Sequence, residues 1–116
     1  MKFLVIPAFE PDEKLIKLLE EVSALNIFQI IVVDDGSGDK FNNIFAEAER
    51  YAIVLTHGVN KGKGAALKTA FTYIKGLNVN GIIVTADSDG QHTVSDIVKV
   101  SNSLKANEAA ITTGAR

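Results

Sequence analysis

Asp87 and Asp89, two aspartates separated by one residue, follow shortly after the apolar run 82–84. Carboxylates this close together repel each other unless a cation neutralises them. A hard divalent ion such as Mg²⁺ or Mn²⁺ prefers oxygen ligands, and Gln91 offers one more. The spacing therefore predicts a metal site formed by Asp87, Asp89 and Gln91, while a polar turn is the alternative interpretation.

A second acidic pair, Asp34 and Asp35, follows the apolar residues 30–33. Paired acids at such a point can bind a metal ion, or accept hydrogen bonds from a base or a ribose. The segment 36–38, with the sequence GSG, permits a tight turn into the next element. Either aspartate can instead cap that turn, so we expect one of the two to be structural.

The segment 61–64, with the sequence KGKG, is typical of an anion site at the start of a helix. Free backbone N–H groups and the helix dipole favour a phosphate there, and glycine permits close approach. The segment is not a Walker loop, and Leu67 occupies the last position of the G-x-G-x-x-G pattern. A glycine-rich loop with solvated lysines is the alternative interpretation.

The aromatic and imidazole side chains give weaker signals. Phe9 can stack on a nucleobase, or it can serve as a buried anchor for its loop. His57 and His92 have no histidine partner at the spacing of a metal site. No Ser–His–Asp set can be identified from the sequence.

Short apolar runs alternate along the chain with longer stretches of helical periodicity. The strands predicted from these runs are residues 3–6, 30–33, 53–55, 82–84 and 109–113. We expect Asp12 to be the N-cap of the first helix, and Thr93 or Ser95 to cap the last. This alternation predicts an α/β sandwich with a mainly parallel sheet.

Four polar clusters follow the first four predicted strands, beginning at Pro7, Asp34, His57 and Asp87. Ligands of open α/β sheets bind beyond the carboxyl ends of the strands. The four clusters should therefore share one rim of the sheet, although they lie far apart in the sequence.

The composition is that of an ordinary globular chain of 116 residues, 47% hydrophobic and 22% charged, which excludes disorder. The net charge of −2 argues against nucleic acid as a partner. The absence of cysteine excludes disulfides, thiolate zinc sites and thiol nucleophiles. Without an export signal or an apolar run of about 18 residues, the expected location is cytoplasmic.

The predicted fifth strand runs almost to Arg116, with no helix after it. A sheet that stopped there would expose apolar surface and an open edge. We therefore expect residues 1–116 to be a single, partial domain, truncated after the fifth strand or completed by a partner chain. Association of identical copies through the unfinished edge is one such outcome, and a short, tolerated edge strand is the alternative.

Four segments taken together resemble the N-terminal half of family 2 glycosyltransferases, which have the GT-A fold. In order, they are VIPAFE at residues 5–10, VVDDGS at 32–37, NKGKGAAL at 60–67 and DSDGQH at 87–92. The segment DSDGQH is most similar to the corresponding motif in the branch of dolichyl-phosphate mannose synthases and bacterial polyprenyl-phosphate sugar transferases. Thr93 stands where that branch often has proline.

The resemblance implies a Rossmann-like, three-layer domain that binds a nucleotide-diphosphate sugar for hexosyl transfer with inversion, with polyprenyl phosphate as one candidate acceptor. A UDP-sugar is the first expectation for the donor and a GDP-sugar the second. The metal ion, Mg²⁺ or Mn²⁺, would be held by the DXD motif of Asp87 and Asp89 together with Gln91. The nucleotide-binding residues would be Pro7, Ala8, Phe9, Glu10, Asp34, Asp35, Lys61, Gly62, Asp87, Ser88 and Arg116.

Catalytic domains of this family continue well past the position of Arg116, and the resemblance places the acceptor site and any catalytic base there. The branch commonly adds membrane-attaching segments there, which implies the inner face of the membrane for a full-length form. The alternative function is a non-catalytic nucleotide-binding or assembly module. A phosphoacceptor signalling domain ranks low, because its paired acids would follow the first strand, where Pro7 and Ala8 stand.

Overall fold

The computed structural model describes residues 1–89, 94–104 and 109–111. Within these ranges, five parallel strands form one sheet in the order β3-β2-β1-β4-β5. The strands are β1 (Lys2–Ala8), β2 (Phe28–Asp35), β3 (Ile53–His57), β4 (Ile82–Thr85) and β5 (Ala109–Ile111). The helices between them are α1 (Glu13–Leu25), α2 (Asn42–Ala48), α3 (Lys63–Gly76) and α4 (Val94–Asn102). The predicted α/β architecture with a parallel sheet is confirmed.

The central strands are buried on both faces. In β1, Leu4 and Ile6 pack into a cluster with α1, α2 and α4, whereas Phe3 and Val5 pack against α3 on the opposite face. Neighbouring β2 shows the same alternation along its apolar residues 30–33. Because a parallel sheet is covered by helices on both sides, its inner strands need apolar side chains at every position.

The helix ends follow local signals in the sequence. The Asp12 side chain caps α1 by accepting a hydrogen bond from Lys14 N at 2.9 Å, as predicted. A single 3₁₀ turn, Asp39–Phe41, precedes α2. Ser95 lies inside α4, and Thr93 is outside the described residues. Of the helices in the described part of the chain, none combines the length and apolar character needed to cross a bilayer.

α3 approaches the sheet through small side chains. Its buried residues are Ala66, Ala70 and Ile74, and Phe71 is 36% exposed. Small side chains let the helix axis lie close to β1 and β2, which α3 covers. The first turn of α3 is thereby held beside the carboxyl end of β2.

From β1 the chain adds β2 and β3 on one side of the sheet, and it then returns to add β4 and β5 on the other side. α1 and α2 lie on one face as the chain moves outward from β1 to β3, and α3 returns over the other face to β4. Such a reversal opens a crevice at the carboxyl ends of the two strands. Among the described strands, β3 and β5 lie at the edges of the sheet. Association of copies through the β5 edge stays a prediction.

Candidate functional site

A cleft of about 390 Å³ lies at the carboxyl ends of β1, β2 and β4. Its volume falls in the range of about 300–1,000 Å³ that is typical of small-molecule sites. The residues that line it are Pro7, Ala8, Phe9, Asp35, Asn60, Gly62, Lys63, Asp87, Ser88 and Asp89. Residues at or beyond the carboxyl ends of four strands therefore meet at one rim, as we predicted.

Eight of the predicted site residues line the cleft, and Asn60 and Lys63, which were not predicted as site residues, line it as well. Glu10, Asp34 and Lys61 do not line it. Gln91 and Arg116 lie outside the described residues, so their predicted roles stay predictions. Asn60 and Lys63 belong to the glycine-rich segment after β3, and their place in that segment could have predicted that they line the cleft.

The two aspartates that end β2 point to opposite faces of the sheet, because successive side chains of a strand alternate. Asp34 Oδ1 accepts a hydrogen bond from Ser37 N at 2.9 Å. Ser37 Oγ in turn accepts one from Glu10 N at 2.9 Å. Asp34 therefore shapes the turn after β2 and connects it to the loop after β1.

Asp35 is the member of the pair that lines the cleft, and it is only 3% exposed. Oδ1 accepts hydrogen bonds from His57 Nδ1 at 2.8 Å and Lys61 N at 2.9 Å. Oδ2 accepts from Gly62 N at 2.9 Å and Asn60 Nδ2 at 3.1 Å. One carboxylate thus fixes the course of residues 57–62.

The environment of Asp35 favours its ionised form. Burial raises the pKa of the Asp35 carboxyl, but the hydrogen bonds from His57, Lys61 N and Gly62 N, together with the charge of His57, outweigh burial. The pKa of Asp35 therefore lies below its ordinary value of 3.8. The ionised carboxylate is the acceptor that the surrounding donors require.

We expect Asp35→Asn to lower the free energy of unfolding by about 2–4 kcal/mol at pH 7, because buried donors lose a charged acceptor. Since the pKa of Asp35 is depressed in the native state, its ionisation stabilises the fold above pH 3.8. That contribution disappears as the pH falls through the native pKa. The difference between wild type and variant should therefore shrink below pH 3.8.

Urea denaturation of both proteins at neutral and acidic pH measures this difference. Asp39→Asn is the matched control, since Asp39 is exposed and ends no strand. It should change stability by less than about 0.5 kcal/mol. A gap between wild type and Asp35→Asn that widens on acidification would contradict the ionised, hydrogen-bonded state of Asp35.

The turn after β2 and the loop after β3 are in direct backbone contact at Gly36. Gly36 has a φ of +75°, and a Cβ built there would lie 2.2 Å from Asn60 N and 2.3 Å from Val59 C. No side chain fits at that distance. The contact holds Asn60 beside Asp35, whose main-chain oxygen accepts a further hydrogen bond from Asn60 Nδ2 at 3.2 Å.

The loop after β1 places an aromatic ring at the mouth of the cleft. Phe9 is 49% exposed and lines the cleft, which excludes the alternative that it is a buried anchor. Glu10, the next residue, has a φ of +48°, a conformation that costs a non-glycine residue about 1–3 kcal/mol. The hydrogen bond from Glu10 N to Ser37 Oγ holds this conformation in place.

Asp87 and Asp89 follow β4 at the opposite wall of the cleft from Asp35. Lys63 Nζ forms an ion pair with Asp87 Oδ1 at 2.8 Å, and both side chains are partly exposed. Within the described ranges, no group of three or more His, Cys, Asp and Glu side chains could hold a metal ion. A divalent cation at Asp87 and Asp89 would therefore need further ligands, such as phosphate oxygens or water.

Comparison with known proteins places these features in a family. The family model described as Glycosyl transferase family 2 matches residues 3–116. A UDP-N-acetylglucosamine–dolichyl-phosphate N-acetylglucosaminyltransferase of Methanococcus voltae is 33% identical over 113 residues, covering 84% of this chain and 45% of that protein. A dolichyl-phosphate beta-glucosyltransferase of Trichomonas vaginalis is 27% identical over 132 residues, covering 97% of this chain and 39% of that protein.

An undecaprenyl-phosphate 4-deoxy-4-formamido-L-arabinose transferase of Photorhabdus laumondii is 30% identical over 106 residues, covering 84% of this chain and 31% of that protein. The chain thus spans less than half the length of each of these three relatives. No solved structure matches it significantly. Because the family match covers nearly the whole chain and the parallel sheet has the Rossmann-like GT-A form, the chain belongs to glycosyltransferase family 2.

Proposed function

We propose that this chain forms the donor-binding part of a glycosyltransferase that takes a hexosyl group from a nucleotide-diphosphate sugar. The observation that carries the proposal is one cleft in which an exposed aromatic ring, Phe9, and an acidic pair, Asp87 and Asp89, lie together. A nucleotide sugar needs both features, since its base is a flat apolar surface and its diphosphate requires neutralisation.

The nucleoside belongs at the β1 and β2 side of the cleft. Pro7 and Ala8 supply an apolar floor, and Phe9 supplies a ring face on which a base can stack. Asp35 supports this wall, because its carboxylate holds the backbone of Gly62 in position. UDP is the first candidate nucleotide and GDP the second.

The diphosphate belongs at the β4 side. Asp87 and Asp89 suit a hard cation, Mg²⁺ or Mn²⁺, because both offer carboxylate oxygens at one wall and Asp87 already binds the Lys63 ammonium group. When bound, such an ion acts as a Lewis acid that stabilises the negative charge of the leaving diphosphate. Lys63 adds a further positive charge at the same place.

The transfer breaks the bond between the anomeric carbon and the diphosphate oxygen, which leaves with the electron pair. An acceptor oxygen forms the new bond from the opposite face, so the anomeric configuration inverts. The proton balance depends on the acceptor: an ionised phosphate needs no base, and a base located beyond Arg116 stays a prediction.

We propose polyprenyl phosphate as the acceptor, since the names of the relatives specify dolichyl and undecaprenyl phosphate. A cytoplasmic location at the inner membrane face is part of the same proposal.

Isothermal titration calorimetry of the protein with UDP and with GDP tests the donor site. We expect one of them to bind with a Kd between about 1 µM and 1 mM in Mn²⁺ or Mg²⁺, a range typical of enzyme substrates. Replacing the metal with EDTA should weaken binding at least tenfold. Inorganic phosphate is the control ligand and should not compete. Folded protein that binds neither nucleotide with either metal would overturn the proposal.

A further inference from the structure

His57 is a buried imidazole directly behind the cleft, and the function proposed above gives it no role. Its Cα pairs with that of Asp35 in the parallel register of β2 and β3. The two side chains leave the sheet on the α3 face and are 8% and 3% exposed. A histidine in this position is held by packing as well as by hydrogen bonds.

Both ring nitrogens of His57 have partners. Nδ1 lies 2.8 Å from Asp35 Oδ1, and Nε2 lies 2.7 Å from Thr69 Oγ1 in α3. Because the Asp35 carboxylate is ionised and carries no proton, Nδ1 must donate to it. Thr69 Oγ1 also lies 3.0 Å from Ala65 O, within the same helix. The ring is therefore fixed at both ends and bridges the sheet to α3.

The fixed ring determines the orientation of the Asp35 carboxylate. Oδ1 is shared by His57 Nδ1 and Lys61 N, so a rotation of the carboxylate would break both hydrogen bonds. The other oxygen holds Gly62, which lines the cleft. The next residue, Lys63, reaches Asp87 across the cleft. A continuous set of contacts thus leads from His57 to the opposite wall.

We propose that His57 is a positioning residue of the donor site: it orients Asp35, which in turn shapes residues 60–63 into the wall that receives the nucleoside diphosphate. His57 itself does not line the cleft. The ligand named here rests on the proposed function, whereas the effect of His57 on residues 60–63 does not. A role limited to packing would affect the whole core equally.

Three substitutions separate these roles. His57→Asn keeps an amide donor near the position of Nδ1, His57→Gln carries its amide one bond further out, and His57→Leu removes both hydrogen bonds. With UDP and Mn²⁺ in the calorimeter, we expect His57→Leu to raise the Kd at least about tenfold, since a hydrogen bond to a charged group is lost. His57→Asn should stay within about threefold of wild type, and His57→Gln should resemble His57→Leu.

Amide hydrogen exchange supplies a readout that needs no nucleotide. We expect the amides of Lys61 and Gly62 to exchange at least about tenfold faster in His57→Leu, while those of Ile31 and Val32 in the sheet core change much less. In His57→Asn the two loop amides should stay protected. Thr72→Val, on the exposed side of α3, is the control and should change neither readout.

Equal effects of His57→Asn and His57→Gln on both readouts would overturn the proposal, as would an unchanged Kd and unchanged exchange in folded His57→Leu. The comparison of the Asn and Gln variants decides the question even where His57→Leu does not fold. If wild type binds no nucleotide, the proposed function fails, and the exchange of Lys61 and Gly62 alone decides whether His57 positions the loop.

Discussion

Asp89→Asn should weaken the binding of UDP in the presence of Mn²⁺ by about 100-fold, and should remove the difference between Mn²⁺ and EDTA. The substitution removes one of the two carboxylates that the cleft offers to a cation beyond β4. Loss of an outer-shell partner alone costs a metal site about 10–100-fold, so loss of a direct ligand should reach the upper end of that range. Calorimetric titrations with and without metal measure both quantities.

Asp96→Asn is the matched control, because Asp96 is an exposed acid on α4 that does not line the cleft. It removes the same charge from the chain and should leave the Kd within about twofold of wild type. A folded Asp89→Asn variant that keeps the full metal dependence of wild type would show that Asp89 does not hold the cation. The proposed role of the acidic pair would then be wrong.

Gly36→Ala should lower the free energy of unfolding by about 2–5 kcal/mol. A left-handed φ costs an L-residue about 1–2 kcal/mol. The added Cβ would also collide with the backbone of Asn60 and Val59 at 2.2–2.3 Å, and overpacking adds about 1–3 kcal/mol. The collision forces apart the turn after β2 and the loop after β3, so nucleotide binding should fail in whatever protein remains folded.

Gly38→Ala provides the comparison for this prediction. Gly38 has a similar φ of +89°, but a Cβ built there meets nothing within 4 Å. With a ψ of 173° Gly38 lies in a region that almost only glycine adopts, so its substitution should cost a conformational term of about 1–3 kcal/mol and no collision. Urea denaturation of both variants measures the two costs. A Gly36→Ala variant as stable as wild type would contradict a close contact at Gly36.

Much of the fold could be predicted because each strand carries its own signal. The unbroken apolar residues 30–33 predicted a strand covered on both faces, and Asp12 predicted the start of α1. The end of β1 was less accessible, because Pro7 suggests that the strand stops before it. In the structure β1 continues to Ala8. Its pairing with β4 ends at Val5, so Pro7 has only β2 as a neighbour, and a strand tolerates a proline that has no N–H to donate on the unpaired side.

The convergence of the site was also predictable, since carboxyl ends of parallel strands share a rim. It was not predictable which of Asp34 and Asp35 lines the cleft and which shapes the turn. Alternation shows that they face opposite sides, but only the packing of α3 decides which side meets the loop after β3. The pairing of His57 with Asp35 was not predicted, because the two residues are 22 positions apart and only the register of β2 against β3 brings them together.

The most direct test is an NMR titration of the ¹⁵N-labelled protein with UDP and Mg²⁺, followed by substitution of Mn²⁺. We expect the amide shifts to change around residues 7–9, 35, 62–63 and 87–89, and Mn²⁺ to broaden the signals of Asp87, Ser88 and Asp89 first. Changes confined to another surface, such as the α1–α2 face near Glu20 and Glu47, would contradict a donor site at the carboxyl ends of the strands.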